Sequence, residues 1–314
     1  MGTYLVKRLV LLLPTIIVPV LLVFFMMQLA PGDPAAVMLG ANATPDQVAA
    51  LRDQLGLNQP LWSQFWIFVG NLVTFDLGNS IFLGRPVTEV VLTYGAITLQ
   101  LTLFALVIAV VLGCSAGILA ALFHNRTIDK VMMFVAVVGV GIPEFWLALL
   151  LILLFAVTLR WFPVSGYVPL EAGFWESMQS LTLPALALAL IQAAFIARMS
   201  RSAVLDVLGE QYVATARAKG MSGWTVISRH VVRAASVPIV TVVGLTLAVL
   251  LGGAVAVETV FSLPGIGSLL IQGVGRRDYP LIQGIVLVIA VAFVLINLLI
   301  DLVYALIDPR VRYQ

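Results

Sequence analysis

Six long runs of apolar residues divide this chain. They cover Leu9 to Met27, about Ala96 to Phe123, Val131 to Leu159, Leu181 to Ala197, Val237 to Val257 and Leu281 to Ile307. The third is interrupted by Gly141-Ile142-Pro143-Glu144. A helix needs roughly 20 apolar residues to cross the hydrocarbon core, and tilt absorbs a longer run. Continuous apolar backbone in lipid satisfies its own hydrogen bonds as a helix. The pattern therefore predicts an all-α integral membrane protein with about six transmembrane helices. The first run is longer than the core of a cleaved signal peptide, and Pro31 after Leu29-Ala30 disfavours cleavage. It reads as an uncleaved span.

Six spans place both termini on one side, and basic residues indicate which side that is. Lys7 and Arg8 precede the first span, and Arg126 and Lys130 lie between the second and third. Arg198, Arg201, Arg217, Lys219, Arg229 and Arg233 lie between the fourth and fifth, and Arg310 and Arg312 follow the sixth. The opposite side holds Arg52, Arg85, Arg160, Arg276 and Arg277, a bias of twelve to five. Both ends are expected in the cytoplasm.

Three regions follow: residues 1–30, the cytoplasmic N-terminus and first span; 31–95, an extracytoplasmic helical segment; and 96–314, a five-helix core carrying a cytoplasmic loop at 200–236. In the outer segment, Thr44 with Pro45 at the first helical position and Gln47 at the third makes a capping box. Gly56 would end that helix. A second helix is expected after Pro60, with Leu61, Phe65, Phe68 and Leu72 on one face and Trp62 and Trp66 suited to a membrane–water interface. In the inner loop, Val204, Leu208 and Tyr212, or Leu205, Leu208, Tyr212 and Ala216, recur at helical spacing. Arg217 and Lys219 sit near the expected helix end, where cations favour the dipole, and Gly220 supplies a left-handed cap. Ser222 then caps a short helix carrying Trp224, Ile227 and Val231, and Pro238 marks entry into the fifth span. The loop reads as a helix–Gly–helix elbow, basic on one side and small-residued near its tip.

Composition sharpens this. Of 314 residues, 61% are hydrophobic and only 10% charged, and the mean hydropathy is +1.10. A soluble domain is about a quarter charged. A net charge of +2 does not call for nucleic acid. Cys114 is the single cysteine, so no intrachain disulfide or cysteine metal cluster is expected, and it reads as a small buried side chain. His124 and His230, the two histidines, read as solvated residues rather than metal ligands. No His-Glu-x-x-His or Gly-x-Ser-x-Gly pattern suggests an intramembrane enzyme. There is also no Gly-x-x-x-x-Gly-Lys-Ser/Thr phosphate loop, so ATP-driven work would have to enter through a docking surface. The elbow is the large inner surface available.

Several short motifs now fall into order. Glu210-Gln-Tyr-Val-Ala-Thr-Ala-Arg-Ala-Lys-Gly220 resembles the coupling loop, or EAA motif, of binding-protein-dependent ABC importer permeases. The general form places Glu-Ala-Ala six, five and four residues before a Gly; here Ala214, Thr215 and Ala216 stand there, without the glutamate. The local pattern is instead similar to the Tyr-x-x-x-Ala-Arg-Ala-Lys-Gly version of the dipeptide/oligopeptide/nickel branch. Pro31-Gly32-Asp33-Pro34, Leu55-Gly56-Leu57-Asn58-Gln59-Pro60-Leu61, Asp76-Leu77-Gly78-Asn79-Ser80, Glu258-Thr259-Val260-Phe261-Ser262-Leu263-Pro264-Gly265-Ile266-Gly267, Arg276-Arg277-Asp278-Tyr279-Pro280 and Asp308-Pro309-Arg310 extend the resemblance over nearly the whole chain.

The resemblance implies the type I ABC importer permease fold in a bacterial cytoplasmic (inner) membrane. It implies a second homologous permease, two ATPase subunits that bind the ATP and magnesium, and an extracytoplasmic substrate-binding protein. This chain itself would hold no cofactor. Glu210, Tyr212, Ala214, Thr215, Ala216, Arg217, Ala218, Lys219 and Gly220 are the implied ATPase-coupling residues. Peptides are the expected cargo; nickel chelates, glutathione or short saccharides are imported by the same branch.

Polar residues in the spans are candidates for the translocation path, because a charge at the bilayer centre costs roughly 2.5–3.5 kcal/mol on insertion scales. Glu144, Glu258, Gln100 and Gln192 are the candidates, with Glu144 also readable as a helix break after Pro143 and Glu258 as an anchor. Asp301 reads as an ion-pair or hydrogen-bond partner near the inner end of the sixth span. Gly113 and Gly117 form a small-x-x-x-small pair that predicts close helix packing. An ATP-independent secondary transporter would need more ionisable groups deep in the spans, or a broken-helix repeat, and Glu144 is the one clear mid-span acid.

Overall fold

The computed structural model describes residues 2–29, 33–39, 43–54 and 56–307. Parts of two motifs, Pro31-Gly32 and Leu55, and the whole of Asp308-Pro309-Arg310, lie outside the described residues, as do Arg312 and the side chain of Asp301. In chain order the helices are α1 (Gly2–Leu29), α2 (Pro34–Leu39), α3 (Pro45–Gln54), α4 (Leu61–Val73), α5 (Val87–Leu122), α6 (Thr127–Val140) and α7 (Glu144–Leu151). A π-helical stretch, Ile152–Thr158, extends α7. Then come α8 (Phe174–Leu208), α9 (Gln211–Ala218), α10 (Gly223–Thr225), a π-helical turn at Val226–Val231, α11 (Val232–Val260), α12 (Ile266–Arg276) and α13 (Tyr279–Ile307).

Four straight helices among the described residues are long and apolar enough to cross a bilayer: α5, α8, the rod Gly223–Val260 and the Tyr279–Ile300 part of α13. The third apolar run is not straight. Its two halves, Thr127–Val140 and Glu144–Thr158, meet at 107°. The 14 residues of α6 reach about 21 Å at 1.5 Å per residue, short of a 30 Å core. Gly141 caps α6, and Pro143, which lacks an N–H, starts α7 in extended geometry (φ −63°, ψ 137°). Counting this bent pair as one span gives five. The first run, Leu9 to Met27, lies within the 28-residue helix α1.

The chain divides into two compact units, Met1–Ile97 with Ser268–Leu295, and Thr98–Gly267 with Ile296–Gln314. In the first unit the expected capping box is present: Thr44 N donates to Gln47 Oε1 (2.9 Å) and Gln47 N donates to Thr44 Oγ1 (3.4 Å). Helix α3 ends on Gly56 at φ +68°, with Gly56 N donating to Asp53 O and Leu57 N to Arg52 O. These are the paired bonds of a Schellman turn. On α4, Phe65 and Phe68 pack against Phe24 of α1 at 5.3 and 5.8 Å between ring centroids, while Trp62 and Trp66 remain exposed. Phe65, Phe68 and Leu72 of the predicted face are half-buried, whereas Leu61 at the helix start is exposed.

The same unit joins two motifs 198 residues apart. Asp278, buried, accepts from Ser80 Oγ (2.6 Å), Phe82 N (2.9 Å) and Leu281 N (3.2 Å). It therefore caps the start of α13 and ties the 78–87 loop to it. Gly84 N donates to Ser80 O, and the Arg276 guanidinium lies 3.4 Å from the Phe82 ring centroid.

In the second unit the core is an aliphatic cluster centred on α8, with Leu181, Leu183, Leu188 and Ile196 meeting Leu101 and Ala105 of α5, Ala148 and Leu151 of α7, and Leu250 and Val257 of α11. Helices α5 and α8 approach closely where Gly113 and Gly117 face α8. A Cβ on Gly113 would lie 2.7 Å from Ala193 O, and one on Gly117 would collide with Ala197 O. This is the tight packing that the glycine pair predicts.

Candidate functional site

The elbow consists of α9, α10 and the Val226–Val231 turn. The spacing through Leu208 and Tyr212 predicts one helix running from the fourth span into the elbow; the structure breaks it. Gly209 closes α8 by donating to Leu205 O and Asp206 O, and Glu210 turns extended (φ −71°, ψ 143°) before α9 begins. The eight-residue helix α9 therefore turns Val213 and Ala216 inward and leaves Tyr212 outward. Val213 and Ala216 pack with Ala121, Ala203, Val204, Val226, Val231 and Ala235.

Of the nine implied coupling residues, Ala216 is thus part of the permease's own packing. Glu210, Tyr212, Ala214, Thr215, Arg217, Ala218, Lys219 and Gly220 are exposed. Thr215 Oγ1 bonds back to Gln211 O (3.0 Å), so its methyl rather than its hydroxyl is left for a partner. Gly220 stands at φ +80°, with Gly220 N donating to Arg217 O and Met221 N to Ala216 O. Glycine, without a Cβ, takes this left-handed geometry at no steric cost. Ser222 Oγ accepts from Thr225 N (3.3 Å) and caps α10, as its position predicts. The outcome is a short helix, closed at its C-terminus by a left-handed glycine turn and seated on a packed base, with Ala214, Thr215 and Ala218 on its outer side.

The four polar span residues have different surroundings. Glu258 is fully buried; Thr98 Oγ1 donates to its Oε1 (2.5 Å) and accepts from Ile266 N (2.9 Å). Leu263 N donates to Glu258 O (2.8 Å), so the loop after α11 folds back over its own helix end. A Cβ at Gly265 would collide with the Glu258 carboxylate, and one at Gly267 would lie 2.9 Å from Oε2. The signature Glu258–Gly267 is thus a carboxylate wrapped by a glycine-bearing loop, which places Glu258 as an anchor. Gln100 accepts from Tyr167 Oη (2.9 Å). Burial, with Glu171 adding to it, pushes the Tyr167 hydroxyl above its usual range, so it remains a donor at neutral pH. Gln192 is buried on α8. Glu144 opens α7 at the 107° bend, and a Cβ on Gly253 of α11 would lie 2.5 Å from its carboxylate. A lipid-facing carboxylate would be costly; this one sits against a helix with room made for it.

One cluster escapes the sequence reading. Asp129, buried near the start of α6, accepts from Arg201 Nε (2.6 Å) and Nη2 (2.8 Å) and from Asn125 N (2.9 Å). His124 Nδ1 lies 3.3 Å from the same carboxylate. This bidentate pair pins the turn after α5 to α8. The lone acid between Arg126 and Lys130 was its only sequence signal. His124 is exposed, as expected, with Nδ1 beside the Arg201 guanidinium, whereas His230 Nε2 is buried rather than solvated.

With this geometry established, comparison with known proteins identifies the family. Residues 113–313 match the binding-protein-dependent transport system inner membrane component, and residues 1–87 match the N-terminal region of such membrane components. The chain is 42% identical to the dipeptide transport system permease protein DppB of Alkalihalophilus pseudofirmus, over all of both chains. It is 43% identical to the glutathione transport system permease protein GsiC of Escherichia coli K12, again over both full lengths. Among solved structures, the inward-facing MetNI methionine ABC transporter superposes with a TM-score of 0.59 at 19% identity, covering 69% of this chain and 96% of that one. A crystal structure of an amino acid ABC transporter with histidines gives 0.53 at 20% identity, covering 69% and 94%. Both similarities establish the fold. The chain belongs to the binding-protein-dependent transport system inner membrane components, the permease subunits of ABC importers.

Proposed function

We propose that this permease forms half of the translocation pathway for di- or oligopeptides and receives its power through the 200–236 elbow. Full-length identity to a dipeptide permease is the observation that carries the cargo reading. The exposed helix α9, closed at its C-terminus by the Gly220 turn, supports the coupling reading, because its base is packed into the permease. In this account one of two ATPase subunits holds Ala214, Thr215, Ala218 and Gly220 in a cleft, with Arg217 and Lys219 at its rim. Closure of the ATPase dimer then moves α9 with the helices attached to it, a rigid-body transmission between two states. A second homologous permease supplies the other half of the path, and an extracytoplasmic binding protein delivers the peptide. The twelve-to-five basic bias supports placing the elbow and both termini in the cytoplasm.

Glutathione, itself a tripeptide, is the second reading, favoured by the equally complete similarity to GsiC. The ligand retained by the partner binding protein separates the two: dipeptides supported against glutathione, or the reverse. Docking is tested with Ala218→Trp, which places bulk on the exposed face. The expected result is loss of the ATPase subunits from the purified complex with the permease still folded. Unchanged co-purification would remove α9 from the interface.

A further inference from the structure

A cavity of about 580 Å³ at the base of the elbow is lined by Tyr212, Arg229, His230, Arg233 and Ala234. No carboxylate is among these residues, and no ion pair forms to Arg229 or Arg233 among the described residues. His230 Nε2 is buried without a hydrogen-bond partner. An unmet buried polar atom is costly, so its presence calls for a partner that the protein alone does not supply. The cavity abuts the π-helical turn Val226–Val231, and such turns in helices frequently mark functional positions. The same rod, Gly223–Val260, is one of the four long apolar helices. Arg229 and Arg233 lie in the first third of that rod, ahead of its apolar stretch.

We infer that this cavity binds the phosphate of an anionic phospholipid headgroup. Two guanidiniums separated by one helical turn (Arg229 and Arg233), a phenolic donor and an imidazole nitrogen are a donor set for phosphate oxygens. Arginines beside a membrane-crossing helix face the lipid phosphates directly. The lipid would join Tyr212 of α9 to the start of α11 across one headgroup, linking the projecting helix to the span behind it. An anion of this kind also offsets the repulsion between two arginines left without partners.

The test uses the whole importer, purified in detergent and titrated with short-chain phosphatidylglycerol under native mass spectrometry. Phosphatidylcholine serves as the neutral lipid, and inorganic phosphate as the free anion. The expected result is one tight phosphatidylglycerol per copy of this chain, not displaced by phosphatidylcholine or millimolar phosphate. Arg229→Gln with Arg233→Gln should weaken it about thirtyfold, since each arginine at an anionic surface is worth about fivefold. Arg126→Gln, outside the cavity, should leave it unchanged. Equal retention of phosphatidylcholine, or full displacement by inorganic phosphate, would overturn the inference in the wild-type protein alone, whatever the variants do. Loss of the ATPase subunits in the double variant with phosphatidylglycerol still bound would instead assign these arginines to an acidic protein surface, and would overturn it too.

Discussion

At the scale of single residues, two buried carboxylates hold this permease together. Asp129 is covered and held by a bidentate arginine that is itself a quarter exposed, so removing that partner leaves a poorly compensated charge. Arg201→Ala should cost about 1–3 kcal/mol, while replacing both Asp129 and Arg201 by alanine should cost less than the sum of the two singles. Thermal unfolding of the purified permease, run as a double-mutant cycle, reads this; strictly additive losses would mean that the pair is not coupled. Glu258 makes a different demand. Gly265→Ala drives a methyl into its carboxylate, so the variant should lose folded permease, and Gly265→Ala with Glu258→Ala should regain part of it. Fluorescence-detected size exclusion distinguishes the outcomes, and a folded Gly265→Ala single variant would contradict the packing. Neither carboxylate's partner was legible in the sequence. Thr98 is 160 residues from Glu258, and Arg201 is 72 from Asp129, so nothing local marks either pairing.

At the scale of elements, local chemistry was readable and continuity was not. Thr44 with Gln47, Gly56, Gly220 and Ser222 all act where their types and offsets indicated, because caps and left-handed turns are decided within a few residues. The elbow's first helix was overextended in the sequence reading because Val204, Leu208 and Tyr212 keep a helical period across Gly209-Glu210. Periodicity reports a face, and a break of two residues can preserve it. The 107° bend at Gly141–Pro143 was visible as an interruption, but its angle depends on packing against α8 and α11. From these caps, Gly220→Ala should cost about 1–2 kcal/mol through its positive φ, and Ser222→Ala about 1 kcal/mol. Hydrogen exchange confined to residues 209–231 should rise in both variants. Unchanged protection there would mean that the caps do not hold α9 in place.

At the scale of the whole molecule, the apolar runs were legible as membrane-crossing material and the ordered motifs as a family. The joining of motifs became visible only in three dimensions. Asp278 ties the 276–280 motif to the 76–80 segment through Ser80, so two stretches that look independent in sequence form one structural knot. Whether the polar span residues act together was not legible, and the structure places Glu144, Gln100 and Gln192 in separate surroundings. The family explains why no phosphate loop is needed here: the chain is the permease component of an ABC importer and not its ATPase. The cytoplasmic placement proposed for that elbow rests on the basic bias, and labelling tests it. In a Cys114→Ala background, Ser222→Cys should react with an impermeant maleimide only after the cytoplasmic face is opened. Reaction in intact cells would invert the topology.

The most direct measurement is ATP-dependent uptake of a labelled dipeptide into proteoliposomes containing the complete importer and its binding protein. Wild-type permease should accumulate the dipeptide only with ATP. Ala218→Trp should abolish uptake while leaving the permease folded and inserted. Uptake by Ala218→Trp at the wild-type rate, or uptake by wild type without ATP, would contradict the account.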